Sequence, residues 1–270
     1  MPSSAWKKNG SNLKDISAKI INLQKNIKHT KQAIINLDKF YLNKEVSFET
    51  TNIKDGYFTI NGEKIDINGC LQTDSTTNKS EMFLPSISEN EIKSSIDLRG
   101  YLSKNIENQG HIGSCVANAI TTAFEYLASR TTKKEVDMSR LFLYYIARKI
   151  TDSDDLGEGC NIYTALKKAQ SFGVCLEKTW PYLLENTDLS PPSFAYLEAE
   201  NFKIETFQTI KPDLNNMLSC LSEGYPFVFG LRLFESFNSN HNGVIPVPKK
   251  GEVASSEHAG HAMICVGYNK

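Results

Sequence analysis

At Pro191-Pro192 the hydrophobic period of the chain changes. Before it, SCVANAITTAFEYLASR sets Val116, Ile120, Ala123, Phe124 and Leu127 at helical spacing, with Ser114 placed to be an N-cap. MSRLFLYYIARKI and NIYTALKKAQSFG read as two further helices, the second opened by Asn161 as N-cap and stopped by Gly173. After the prolines, FKIETFQTI, PFVFGLRLF, VIPVP and AMICVGY read as strands, interrupted by one short helix around Asp213 to Glu223. Helices followed by strands predict an α+β protein of two lobes with a cleft between them.

The residues ahead of Ile96 follow other patterns. From Asn12 to about Lys44, Leu13, Ile16, Ile20, Leu23, Ile27, Ile34, Leu37 and Tyr41 fall on alternating three- and four-residue steps, with Thr30 the single polar member of the series. That seam predicts one long helix, or a helical hairpin bent near Lys28 to Lys31. Tyr57 to Ile60 and Lys64 to Ile67 flank Asn61-Gly62, the signature of a β-hairpin, because Asn-Gly accepts the positive φ of a tight turn. QTDSTTNKSE, Gln72 to Glu81, is polar and reads as a linker.

Composition narrows the function classes. The 270 residues carry a formal net charge of -1, which argues against a nucleic-acid or membrane-surface partner. No run approaches the roughly 18 apolar residues of a membrane span, and no secretory signal follows MPSSAWKKNG. The six cysteines, Cys70, Cys115, Cys160, Cys175, Cys220 and Cys265, are scattered without zinc spacing. No metal or cofactor is expected, and most of the thiols are expected to be buried and unbridged.

Cys115 has a distinct context. In NQGHIGSCVANA it stands where a helix begins, and a helix N-terminus lowers a thiol pKa toward the nucleophilic thiolate. The Gly113-Ser114 step would let a substrate come close. Of the five histidines, His29 falls in the helical seam and His111 and His241 in polar loops. His261 opens the apolar strand AMICV directly after Gly260, where an imidazole is rigidly held, and His258 is the rival base.

NQGHIGSCVANA together with GHAMICVGY resembles the papain family of cysteine peptidases, its bacterial branches more than its plant or lysosomal ones. SSIDLRG resembles the start of the family's mature domain, TWPY its YPY-like turn, and EGYPFVFGL the strand opening its second lobe. The resemblance covers about Ile96 to Lys270. It implies a papain-like two-lobe fold, with a helical lobe over about 95–195 and a β-barrel-like lobe over about 196–270.

The resemblance also implies roles. Cys115 would be the nucleophile, His261 its general base and acid, the two forming a thiolate–imidazolium pair, and Gln109 an oxyanion donor beside the Cys115 N–H. Gly113, Ser114, Asn161, Gly230, Gly260 and Ala262 would line the substrate site. Small Gly230 and Ala262 would leave a deep pocket suited to bulky apolar side chains. The implied activity is hydrolysis of protein or peptide substrates, with export from a bacterial cell as the matching location.

Departures from the family pattern are specific. Ile112 stands where animal and plant members have a cysteine, so the disulfide to the Cys160 region cannot form. Val116 replaces a Trp, and Ile162-Tyr163 replace a Gly-Gly pair. The family's Asn-Ser-Trp motif is not reached before Lys270, nor are the closing strands of the second lobe. These 270 residues alone are therefore expected to be poorly active, and a longer version competent.

Residues 1–94 have the position of a propeptide that would act as an intramolecular inhibitor, with 95–270 as the peptidase domain. An accessory helical module for dimerisation or docking fits the same segment. For the whole chain, a zymogen of a papain-like endopeptidase stands beside two alternatives: a silent papain fold used for binding, and an isopeptidase or transferase using the same Cys-His pair.

Overall fold

The computed structural model describes residues 34–37, 57–60, 63–66, 70, 80–103, 106–149, 159–234, 236–237, 244–252 and 260–270. In chain order the strands are β1 (Ile34–Leu37), β2 (Tyr57–Ile60), β3 (Glu63–Asp66), β4 (Glu81–Met82), β5 (Ser95–Asp97), β6 (Phe207–Thr209), β7 (Phe227–Leu231), β8 (His261–Cys265) and β9 (Gly267–Asn269). The helices are α1 (Cys115–Thr132), α2 (Arg140–Arg148), α3 (Ile162–Phe172), α4 (Ser193–Ala199) and α5 (Leu214–Ser222).

The first lobe is helical. Every residue of α2 is buried, so this helix forms the centre of the lobe. Val116, Ile120 and Ala123 of α1, and Ile162, Ala165, Leu166 and Ala169 of α3, close around it in one core. The arginines ending α2 are buried with partners: Arg140 pairs with Glu107 at 2.7 Å, and Arg148 with Asp188 at 3.0 Å. Gly173 ends α3 as expected. Its φ is +79° and an added Cβ would lie 1.8 Å from the Ala199 carbonyl oxygen, so only glycine fits there.

The second lobe is built on a five-stranded sheet in the order β4-β6-β1-β7-β8. The β7/β8 pair is antiparallel, with Gly230 opposite Ala262 and Leu231 opposite His261. Phe83, Ile210, Leu221 and Phe227 form its core together with Tyr126, which reaches in from α1. The Tyr126 hydroxyl donates to the Gly224 carbonyl at 2.9 Å and ties the lobes together. Away from this sheet, β5 pairs antiparallel with β9, so SSIDLRG is fastened to the last described strand.

Several expectations need correction. Ile34–Leu37 falls inside the expected helical seam but is a strand, parallel to both β6 and β7. The adjacent isoleucines favour extended backbone, and pairing on both edges outweighs the helical period. The rest of the Asn12–Lys44 seam lies outside the described residues. VIPVP is not a strand: Val244 makes a single bridge, and Pro246 and Pro248 offer no N–H to a ladder. The extended part of FKIETFQTI shrinks to Phe207–Thr209, and Glu81, the end of the expected linker, begins β4. α4, directly after Pro191-Pro192, was not expected in a region read as strands. The hairpin forms, but its second strand, Glu63–Asp66, starts one residue earlier than expected, with Tyr57 pairing with Asp66 and Ile60 with Glu63. No described helix is long and apolar enough to cross a membrane.

Candidate active site

Cys115 is the first residue of α1 and is 1% exposed. Its Sγ accepts the backbone N–H of Ala262 at 3.4 Å. Ala262 follows His261 at the start of β8, so the two lobes meet at these residues, which the sequence separates widely. His261 is buried, and burial alone pulls its pKa down to about 4. The imidazole is therefore neutral near pH 7 in this closed arrangement. His258, the rival base, lies outside the described residues, as do His29 and His241; His111 is exposed on the loop before α1.

Gln109 is buried and its Nε2 donates to the Ile112 carbonyl at 3.0 Å, which braces the loop leading to Cys115. A primary amide has two N–H groups, so this bond occupies one. Gly110 turns the loop with φ of +56°. Gly113 lies partly buried in the same loop, and Ser114 is fully buried. Ser114 stands at the N-cap position but makes no side-chain cap. Its Oγ lies instead 2.6 Å from the Tyr182 hydroxyl and accepts from Asn118 Nδ2 at 3.0 Å.

On the opposite wall, Asn161 caps α3, its Oδ1 accepting the Thr164 N–H at 2.7 Å. That bond commits the side-chain oxygen to the helix. Cys160 beside it is buried; burial first, then the neighbouring Cys115, pushes its thiol pKa up. None of the six cysteines, all described, is in a disulfide.

Cys70 fills the space between the walls. It bridges Cys160 on the helical side and Gly260 on the sheet side, and its N–H donates to the Gly260 carbonyl at 3.1 Å. It is 7% exposed and belongs to the same core as Cys115, Cys160 and Ala262. A Cβ on Gly230 would lie 3.0 Å from Cys70 Sγ and 3.7 Å from Ile162 Cδ1. The recess beside Gly230 and Ala262 thus holds a short thiol against the Ile162 side chain. Gly260 matters for the same reason, since a Cβ there would lie 3.2 Å from the Cys70 carbonyl oxygen. Sequence patterns show Cys70 only as one scattered thiol; its seat comes from pairing with residues far along the chain.

Among the described residues no group of His, Cys, Asp and Glu is arranged to hold a metal ion. The site thus sets a buried thiol at a helix start directly against a histidine-bearing strand.

Known proteins resemble this chain in sequence and fold. The family model described as papain family cysteine protease matches residues 92–270. An uncharacterised peptidase C1-like protein of Acanthamoeba polyphaga mimivirus is 35% identical over 175 residues, covering 60% of this chain and 55% of the relative. The chain therefore spans about half the length of that curated relative. Xylellain, a cysteine protease from Xylella fastidiosa, superposes with a TM-score of 0.63 at 29% identity, over 75% of this chain and 81% of its own. Digestive procathepsin L 3 of Tenebrio molitor larval midgut has the same fold, with a TM-score of 0.57 at 14% identity, over 96% of this chain and 75% of its own. With its family model spanning both lobes, the chain belongs to the papain family of cysteine proteases.

Proposed function

We propose that the chain is a cysteine endopeptidase in latent form, with Cys115 as nucleophile, His261 as general base and acid, and the segment containing Cys70 blocking the cleft. The observation that carries this reading is the approach of Cys115 Sγ to the Ala262 amide, which sets the α1 N-terminus against the residue after His261. The N–H also favours negative charge on sulfur, adding to the field of the helix end.

In the opened cleft, hydration raises the His261 pKa from its buried value, so the imidazole can take the Cys115 proton. The thiolate attacks the scissile carbonyl carbon. The resulting oxyanion is held by the Cys115 N–H and an N–H of Gln109 Nε2, each such donor lowering the barrier by roughly 3–4 kcal/mol. His261 then protonates the leaving amine, an acyl-enzyme remains, and water deprotonated by His261 hydrolyses it. Gly113, Ser114, Gly230, Gly260 and Ala262 flank the substrate path, and the Asn161 backbone borders it. The bound Cys70 favours small or medium side chains in the recess closed by Ile162, in place of the bulky ones that the glycine and alanine alone suggest.

Latency rests on Cys70, whose backbone takes the place of a substrate strand between Cys160 and Gly260. The experiment is to nick the Gln72–Glu81 stretch by limited proteolysis and follow Cys115 alkylation and peptide turnover together. Both should rise by at least about tenfold, since a displaced segment uncovers a thiol now shielded from solvent. Equal rates before and after the nick would contradict latency and favour a docking role for the N-terminal segment.

A further inference from the structure

We infer that Tyr182 is a positioning residue for the nucleophile: it draws the Ser114 hydroxyl away from the start of α1, so that this hydroxyl does not cap the helix end that carries Cys115. The inference rests on the proposed role of Cys115.

The protons determine who donates to whom. The Tyr182 hydroxyl donates to the Gln109 carbonyl at 2.8 Å, and a phenol has one proton. In the 2.6 Å contact between Tyr182 and Ser114, the serine must therefore be the donor. Its approach to the Ile112 carbonyl, at 3.5 Å, is too long to compete for that proton. Ser114 Oγ meanwhile accepts from Asn118 Nδ2 at 3.0 Å. A capping hydroxyl must instead accept from a backbone N–H within the first turn.

The backbone agrees. Ser139, Asn161 and Asp213 are extended, with ψ of 106°, 153° and 150°, and each accepts a first-turn N–H. Ser114 has ψ of 20° and makes no such bond. Without the Ser114 hydroxyl as a cap, the positive end of α1 lies at Cys115, where it favours thiolate. Tyr182 also anchors the Gln109 end of the same loop, so one hydroxyl fixes both the oxyanion-donor residue and the residue before the nucleophile.

Tyr182 is built to remain in place as a donor. Arg140 lies 4.1 Å over its ring, held by Glu107 and by Glu177, whose carboxylate also accepts the Tyr182 N–H. Burial pushes its phenol up to about 12, so it keeps its proton at working pH. The other titratable groups around this unit are Tyr144 near Tyr182, Cys160 and Cys70 in the core with Cys115, and His261 next to Ala262. Tyr182→Phe alters none of them directly.

The test is the pH dependence of iodoacetamide alkylation at Cys115 in the full chain, read by peptide mass spectrometry, for four forms: wild type, Tyr182→Phe, Ser114→Ala and the double variant. Loss of the phenol frees the loop at Ser114 to relax toward the extended ψ of the other caps and its hydroxyl to cap the helix. The alkylation midpoint should rise by about half a pH unit in Tyr182→Phe, about a threefold slower reaction on the acid limb. It should return toward wild type in the double variant, which has no hydroxyl to cap with. Asn118→Ala, which removes a side-chain partner of both the Ser114 hydroxyl and Tyr182, should raise the midpoint in the same direction and serves if Tyr182→Phe does not fold. An unchanged midpoint in a folded Tyr182→Phe or Asn118→Ala, or a rise that persists in the double variant, overturns the inference. Peptide turnover measured alongside tests the peptidase reading separately: no turnover with the midpoints shifting as described would sink that reading and leave the positioning of Cys115 standing.

Discussion

The backbone N–H of Cys70 reaches the carbonyl of Gly260 at 3.1 Å, one residue before His261. This bond sets a residue from the N-terminal part of the chain between Cys160 and Gly260, in the place the proposed function gives to a substrate strand. A carboxylate at that position would be buried in an apolar core, at a cost of several kcal/mol. Cys70→Asp should therefore expel the segment and speed Cys115 alkylation by about tenfold or more. An unchanged rate in a folded Cys70→Asp variant would show that Cys70 does not guard the thiol.

Cys70 and Cys160 are partners in an isolated parallel β-bridge. Such partners have Cα atoms about 5 Å apart, within the window for a disulfide. Diamide, which takes up the two protons and two electrons released, should link them, and peptide mapping without reduction should recover a Cys70–Cys160 pair. Cys115 should then become harder to alkylate, because the cleft segment is locked in place. Recovery of Cys160 linked to another thiol would contradict the observed pairing.

His261 gives a pH dependence. Its folded pKa, lowered to about 4 by burial, lies below the ordinary value of 6.5, so the unfolded or opened chain binds the proton more tightly. The stability contributed by the neutral ring is complete above about pH 6.5 and is lost as pH falls toward 4. Between pH 7 and 5 the loss is about 2 kcal/mol. Denaturant unfolding at the two pH values should show this difference in the wild type and a smaller one in His261→Asn. Equal losses in both would mean that His261 is not held neutral by the fold.

The parts of the site that rest on local pattern were legible in the sequence. Cys115 at a helix start follows from the small and apolar residues after it, and His261 at a strand edge from the apolar run it opens. Asn161 and Gly173 mark the ends of α3 because capping is a short-range interaction. Features made by distant residues were not legible. Tyr182 meets Ser114 across 68 positions, and nothing in TWPY indicates that its hydroxyl binds the nucleophile loop. Ile34–Leu37 carries a helical period, yet two partner strands far along the chain make it extended. Ser114 looked like a cap, and only the tertiary bonds to its hydroxyl show why it is not one.

The most direct measurement is peptide turnover by the chain nicked within Gln72–Glu81, compared among wild type, Cys115→Ala, His261→Ala and His258→Ala. Cys115→Ala should abolish turnover, and His261→Ala should lower it by at least about 10³-fold, because nucleophile and base act as a unit. His258→Ala should change it little. Retained turnover in Cys115→Ala, or equal losses from His258→Ala and His261→Ala, would contradict the assignment of Cys115 and His261 as the reacting pair.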